Sequence, residues 1–249
     1  MFIIPDKSAA MHKTWLYRVL EAIADDPVLA PVLYFKGGTC AAMLGWLDRF
    51  SVDLDFDYAG AKEDIPKIRT ALESIFSKLG LTIKDSSKTG IQYFLKYDNT
   101  VEARNTPRNT LKIEAAFPIP AANKYSTQRL TDIDRIFNCQ TKDTMFANKL
   151  VAALDRFKHN GKVAGRDIYD IHHFFMSAYD YDPTVIHDRT GKDAKAFLEE
   201  LVAFIDKEVT DKVITEDLNS LLPLQEFTRI RKSLKWETKM VINEEIGRL

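Results

Sequence analysis

The segment Ser51 to Tyr58, reading SVDLDFDY, constrains the fold of this chain more than any other. Apolar and acidic residues alternate strictly through it, and a period of two belongs to a β-strand, whose successive side chains point to opposite faces. Val52, Leu54 and Phe56 therefore share one face, and Asp53, Asp55 and Asp57 share the other. A helix would scatter both sets around its axis, so the segment reads as a strand that buries one side and presents carboxylates on the other. A row of acids on a strand is commonly just a solvated face, and the residues upstream argue for more.

Val28 to Phe35 is a short apolar run that reads as a buried strand, and it ends in Lys36-Gly37-Gly38-Thr39 before an apolar helical stretch from Cys40 to Leu47. Gly37 and Gly38 have no side chains, so backbone N–H groups there can approach a phosphate chain, and the following helix adds its N-terminal donors. Thr39 can contribute a hydroxyl. The pattern is neither a Walker A loop nor a Rossmann fingerprint.

Asp53 and Asp55 lie about 6.5–7 Å apart along a strand with both carboxylates to one side. Two converging anions resist full ionisation unless a cation joins them, and hard oxygen donors select Mg²⁺ or Mn²⁺. Glu114, in the strand-like run Leu111 to Phe117, would be a third carboxylate if its strand lies alongside, with Lys112 on the same face. Three acids around divalent cations suit in-line displacement at phosphorus. Glu114 is then the candidate general base, and Asp53, Asp55 and Glu114 are the candidate metal ligands.

The rest of the chain falls into two characters. Ser8 can cap a helix running to about Asp25, Ile65 to Leu79 is amphipathic with Gly80 as its stop, and Ile91 to Tyr97 reads as a strand. After Pro118 and Pro120, residues 143–158, 166–178, 192–208 and 224–246 read as helices. The expected class is α+β, with a mixed-sheet core over residues 1–120 and a helical domain over 121–249 that contributes to the active-site cleft.

Lys149 stands beside the apolar stripe of the first of these helices, and residues 142–166 carry six cations against two acids, a place for an anionic substrate. Arg49 would either bind phosphate or pair with an acid to fix the loop before the acidic strand. His172 and His173 point apart on a helix and make a poor chelate. Trp15, Trp46 and Trp236 read as core anchors.

Composition closes off other classes. With 249 residues, 45% of them hydrophobic, there is ample material for a packed core. A net charge of -1 excludes a protein that coats nucleic acid by bulk charge. Cys40 and Cys139 have neither disulfide-framework nor zinc spacing, which fits a reducing cytoplasm. Pro5 and Asp6 interrupt the apolar start MFIIPDKSAAMHK, so it reads as neither a signal peptide nor a membrane span.

Residues 36–58, KGGTCAAMLGWLDRFSVDLDFDY, resemble the first motif of the DNA polymerase β-like nucleotidyltransferases. The wording from Arg49 to Phe56 is similar, more narrowly, to the AbiEii/AbiGii (MenA-type) toxin family. Leu111-Lys112-Ile113-Glu114 looks like the third-carboxylate motif of that family. Asn148-Lys149-Leu150 with Arg156, followed by Arg166-Asp167-Ile168-Tyr169-Asp170, looks like its helical Lys and Arg-Asp-x-x-Asp motifs. The sequence departs from the pattern in having Thr39 where Ser is common and Glu at 114 where Asp is usual.

The resemblance implies a polymerase β-like core with a helical C-terminal part, a nucleoside triphosphate substrate and a divalent metal. By matching motifs it assigns Lys149 and Asp167 to catalysis, and Lys149 and Asp170, with Gly37, Gly38 and Thr39, to nucleotide binding. It further implies toxicity relieved by a separate antitoxin, and a tRNA acceptor in some members. Two other readings share the same residues: a nucleotide-binding regulatory protein without turnover, and a transferase that modifies a small molecule such as an antibiotic.

Overall fold

The structure is a computed structural model that describes residues 7–97 and 109–249. It divides into two compact units. The first comprises the described residues of Met1–Gly45, Phe50–Ile119 and Tyr125–Gln140, and the second comprises Trp46–Arg49, Pro120–Lys124 and Thr141–Leu249.

The first unit is built on a seven-stranded mixed sheet. Its strands are β1 (Leu33–Lys36), β2 (Asp53–Tyr58), β3 (Thr82–Ser86), β4 (Ile91–Lys96), β5 (Thr110–Ala116), β6 (Tyr125–Leu130) and β7 (Arg135–Gln140), in the order β3-β4-β5-β2-β1-β7-β6. The acidic strand β2 lies centrally, antiparallel to β1 and parallel to β5. The alternation read from SVDLDFDY holds: Leu54 and Phe56 are fully buried, with Phe35 of β1 and Ile113 of β5 beside them on the same face.

Two helices cover apolar surface of this sheet. In α1 (Lys7–Ala24), Leu16, Val19, Leu20 and Ile23 recur at helical spacing and are completely buried. In α3 (Ile65–Lys78), Ile68, Leu72, Ile75 and Phe76 do the same, and Phe76 meets Tyr93 of β4 edge-on at 5.2 Å. Buried His12 of α1 ties the approach to the acidic strand, with Nε2 at 2.8 Å from the Val52 carbonyl and Nδ1 at 2.8 Å from the Tyr97 hydroxyl. A carbonyl only accepts, so Nε2–H is the donor to Val52.

Several expectations are corrected here. The first helix spans Lys7–Ala24 among the described residues, so Ser8 lies within it and not at a cap. Of Val28 to Phe35 only the end is strand, because Asp26 Oδ1 accepts from the Val28 and Leu29 amides and curls the chain into a turn. Strand β3, an exposed edge, and the hairpin β6–β7 were not foreseen. That hairpin lies beyond the expected boundary at residue 120, yet Phe35 of β1 pairs with Cys139 of β7 and extends the sheet.

The second unit is helical: α4 (Lys142–Asn160), α5 (Gly165–Met176), α6 (Pro183–Thr190), α7 (Ala194–Glu208), α8 (Asp211–Leu218), α9 (Leu224–Ile230) and α10 (Leu234–Arg248). Phe146 of α4 and Phe174 of α5 pack edge-on at 5.0 Å. Gly165 permits close approach of α5 and α8, since a Cβ there would lie 2.7 Å from the Ile214 Cα. The unforeseen α6 starts with a sequence-legible signal, Asp182 capping the Thr184 amide with Pro183 in the first turn. Trp236, expected in the core, is 65% exposed. Among the described residues no helix is long and apolar enough to cross a membrane.

Candidate active site

Sheet register assembles the first part of the site. Asp55 lies opposite Lys36 of β1 on one side and Glu114 of β5 on the other, and Asp53 lies opposite Lys112. Directly paired residues project to the same face, so three carboxylates and two lysines share the side of the sheet away from Leu54 and Phe56. The strand neighbourhood required for Glu114 to join the Asp pair is therefore present.

The glycine turn packs directly onto this row. The short helix α2 (Gly37–Met43) begins as β1 ends, and Gly37 has a φ of +79°, which disfavours any side chain. Gly38 is buried in the next position. Thr39 is also fully buried, and its hydroxyl donates to the Asp53 carbonyl at 2.6 Å. The hydroxyl expected to meet phosphate thus has its proton committed to the backbone of the acidic strand, fixing the turn against it.

Asp57, the third acid of β2, has no exposed surface and serves as a hub. It accepts from Lys36 Nζ at 2.5 Å, the Tyr125 hydroxyl at 2.5 Å and Gln140 Nε2 at 2.8 Å. These bonds join β1, β2, β6 and β7, so Asp57 organises the strands that carry the site.

Asp55 is electrostatically different. Desolvation, followed by the nearby Asp53 carboxylate, pushes it up to about 6; Lys112 and Lys36 pull in the opposite direction, and Glu114 adds to the rise. An anion held under such repulsion creates local demand for positive charge, and the donors are hard oxygens, so Asp53 and Asp55 fit a divalent cation. Glu114 is turned instead into an ion pair with Lys112. Among the described residues, no three His, Cys, Asp or Glu side chains stand in ligating geometry.

The helical unit holds the remaining candidates. Asp170 is 1% exposed and accepts from Arg49 Nε at 2.5 Å, Arg49 Nη2 at 2.7 Å and Lys149 Nζ at 2.5 Å. Burial opposes ionisation of Asp170, but the Arg49 and Lys149 cations outweigh it and hold the carboxyl down at about 2. Arg49 takes the second of its two sequence readings, pairing with an acid to fix its loop.

Neighbouring groups brace the same loop. Asp48 receives the Tyr169 hydroxyl at 2.7 Å and faces His173 Nδ1 at 3.0 Å, while His172 Nε2 reaches Glu237 at 2.9 Å. Asp167 pairs with Arg156 at 2.9 Å. The cationic excess read over residues 142–166 is consequently reduced: Lys149, Arg156 and Lys158 are answered by Asp170, Asp167 and Glu200. Lys142 lies over the Tyr179 ring at 4.0 Å.

Comparison with known proteins adds to this geometry. The sequence profile described as "Nucleotidyl transferase AbiEii toxin, Type IV TA system" matches residues 18–237. No curated protein sequence matches. Among solved structures, JHP933 from Helicobacter pylori is similar with a TM-score of 0.57 and 18% identity, over 96% of this chain and 94% of that one. MenT4, a nucleotidyltransferase toxin of Mycobacterium tuberculosis, is similar with a TM-score of 0.53 and 16% identity, over 97% and 93%. At these identities the structures testify to a shared fold.

Proposed function

The chain belongs to the AbiEii family of nucleotidyl transferase toxins of type IV toxin–antitoxin systems and is a nucleotidyltransferase; on that premise we propose that it moves a nucleotide from a nucleoside triphosphate to the end of a tRNA, using a divalent cation. The observation that carries the chemical part is the register that sets Asp55 between the Lys36–Gly37 turn and Glu114. Membership of the family also implies a partner antitoxin.

Asp53 and Asp55 would hold the cation, joined by Glu114. When bound, Mg²⁺ or Mn²⁺ supplies charge neutralisation at the reacting phosphate and its attacking and leaving oxygens. Gly37 and Gly38 leave room for phosphate oxygens against the backbone. Glu114, partly exposed, would accept the proton of an acceptor hydroxyl as that oxygen bonds to the α-phosphorus and pyrophosphate leaves. In the helical unit, this reading keeps Lys149 and Asp167 as catalytic groups and Lys149 and Asp170 as nucleotide-binding ones, Asp170 being bonded to Lys149 and Asp167 to Arg156.

The test is incubation of the protein with each labelled triphosphate, Mg²⁺ and total RNA. Label should enter the tRNA fraction and disappear with Asp53→Ala and Asp55→Ala. Nucleotide binding by calorimetry with no labelled product from any acceptor would favour a regulatory binding protein. Label on a small molecule in place of RNA would redirect the acceptor assignment.

A further inference from the structure

Two lysines face the candidate cation site, and the structure gives them different employment. Lys36 is bonded to Asp57, a buried acid also held by Tyr125 and Gln140, so its charge is spent on the architecture of the sheet. Lys112 is bonded to Glu114 two residues along β5, and both side chains keep some access to solvent, 28% and 39%. Its register partner is Asp53, one of the candidate cation ligands, and its bonded partner is the third. A lysine therefore stands within the carboxylate row itself and occupies the acid that a divalent cation would need.

We propose that Lys112 is a resident counter-ion of the carboxylate row, which must release Glu114 before a divalent cation can take all three acids, so that it sets the affinity of the site for metal. The inference rests on the reading of Asp53, Asp55 and Glu114 as the cation site. Its physical basis is competition: an ammonium and a divalent ion seek the same carboxylate oxygens, and the bound ammonium also repels an incoming cation. The proximity of Lys112 to Asp55, whose charge it favours, agrees with that placement. Weak occupancy in the absence of substrate is the functional result. Once displaced from Glu114, the ammonium is free to meet the negative charge that a triphosphate brings.

The experiment is Mn²⁺ titration of the full chain, read from the electron paramagnetic resonance signal of free ion, with no nucleotide and no turnover. Lys112→Met should bind Mn²⁺ about three- to tenfold more tightly than the parent, because a competing charge is gone. Lys112→Arg, which keeps the charge, should stay near the parent value. In a Glu114→Gln background the gain from Lys112→Met should shrink to what charge repulsion alone supplies, since the contested acid is absent. Lys112→Gln gives the same sign if the Met variant does not fold.

Unchanged or weaker Mn²⁺ binding in the neutral Lys112 variants, with binding still lost in Asp55→Asn, overturns the counter-ion role and leaves the cation site standing. Parent-like binding in Asp55→Asn overturns the site and the counter-ion role together. So does a failure of both the parent and Lys112→Met to bind.

Discussion

A methyl group placed on Gly37 would lie 2.4 Å from Asp55 Oδ2, so the turn and the carboxylate occupy adjoining space with nothing to spare between them. Position 37 also has φ +79°, a conformation that costs an L-residue roughly 1–2 kcal/mol. Gly37→Ala should therefore displace Asp55 as well as strain the turn. The expected outcome is a loss of transfer activity of about 10²-fold or more, on the scale of a misplaced catalytic group, with a folded circular-dichroism spectrum. Activity near the parent level would show that the close approach is not needed.

The electrostatics of Asp55 give a pH dependence with a definite sign. Its folded value of about 6 stands above the usual carboxylate value of about 3.9, so the unfolded chain releases this proton first. Stability of the metal-free protein should accordingly fall as pH rises from about 4 to about 6 through this group. Added Mg²⁺ should restore it, and more so at about pH 7.5 than at about pH 5. Asp55→Asn should flatten both effects. Urea denaturation midpoints at the two pH values, with and without the ion, measure them.

Asp170 predicts the opposite sign. Its carboxyl is held at about 2, below the usual range, so its stabilising contribution is present above about pH 4 and is lost as pH falls through about 2. Asp170→Ala leaves the buried Arg49 guanidinium and the largely buried Lys149 ammonium without their shared acid, which should cost about 3–5 kcal/mol. Loss of helical signal in urea should shift accordingly. An unchanged midpoint would mean that water or another acid serves the two cations equally well.

Asp57 is predicted to matter for folding and little for chemistry. Tyr125→Phe removes one donor from a fully buried carboxylate and should cost about 1–3 kcal/mol, with transfer rates close to the parent at temperatures where the sheet is intact. A large fall in rate with no fall in stability would place this network in the reaction instead.

Much of the sheet site could be read from sequence because strand parity is local. Once SVDLDFDY is a strand, the faces of Asp53, Asp55 and Asp57 follow, and the same rule puts Lys112 beside Glu114. Which strand lies next to which is set by long-range pairing, so the parallel match of Asp55 with Glu114 appears only in the fold. Parity showed Lys112 sharing the face of Glu114 without showing that the two would bond. The hairpin β6–β7 was missed because YSTQRL buries little beyond Leu130 and carries no alternating apolar face. The motif match implied nucleotide binding for Asp170 and named no side-chain partners for it. Its partners, Arg49 and Lys149, stand 121 and 21 residues away, at separations that no spacing rule reaches.

The assignment of Trp46–Arg49 to the helical unit has a consequence for dissecting the protein. The chain passes between its two units after residues 45, 49, 119, 124 and 140, so neither can be obtained by a single cut. A fragment ending at residue 140 would keep Arg49 and Asp48 but discard Asp170, Tyr169 and His173, the groups that satisfy them. The two units are interleaved in sequence, and the helical one cannot be exchanged like a cassette: swapping it between relatives would have to carry the four residues between the glycine turn and the acidic strand along with it.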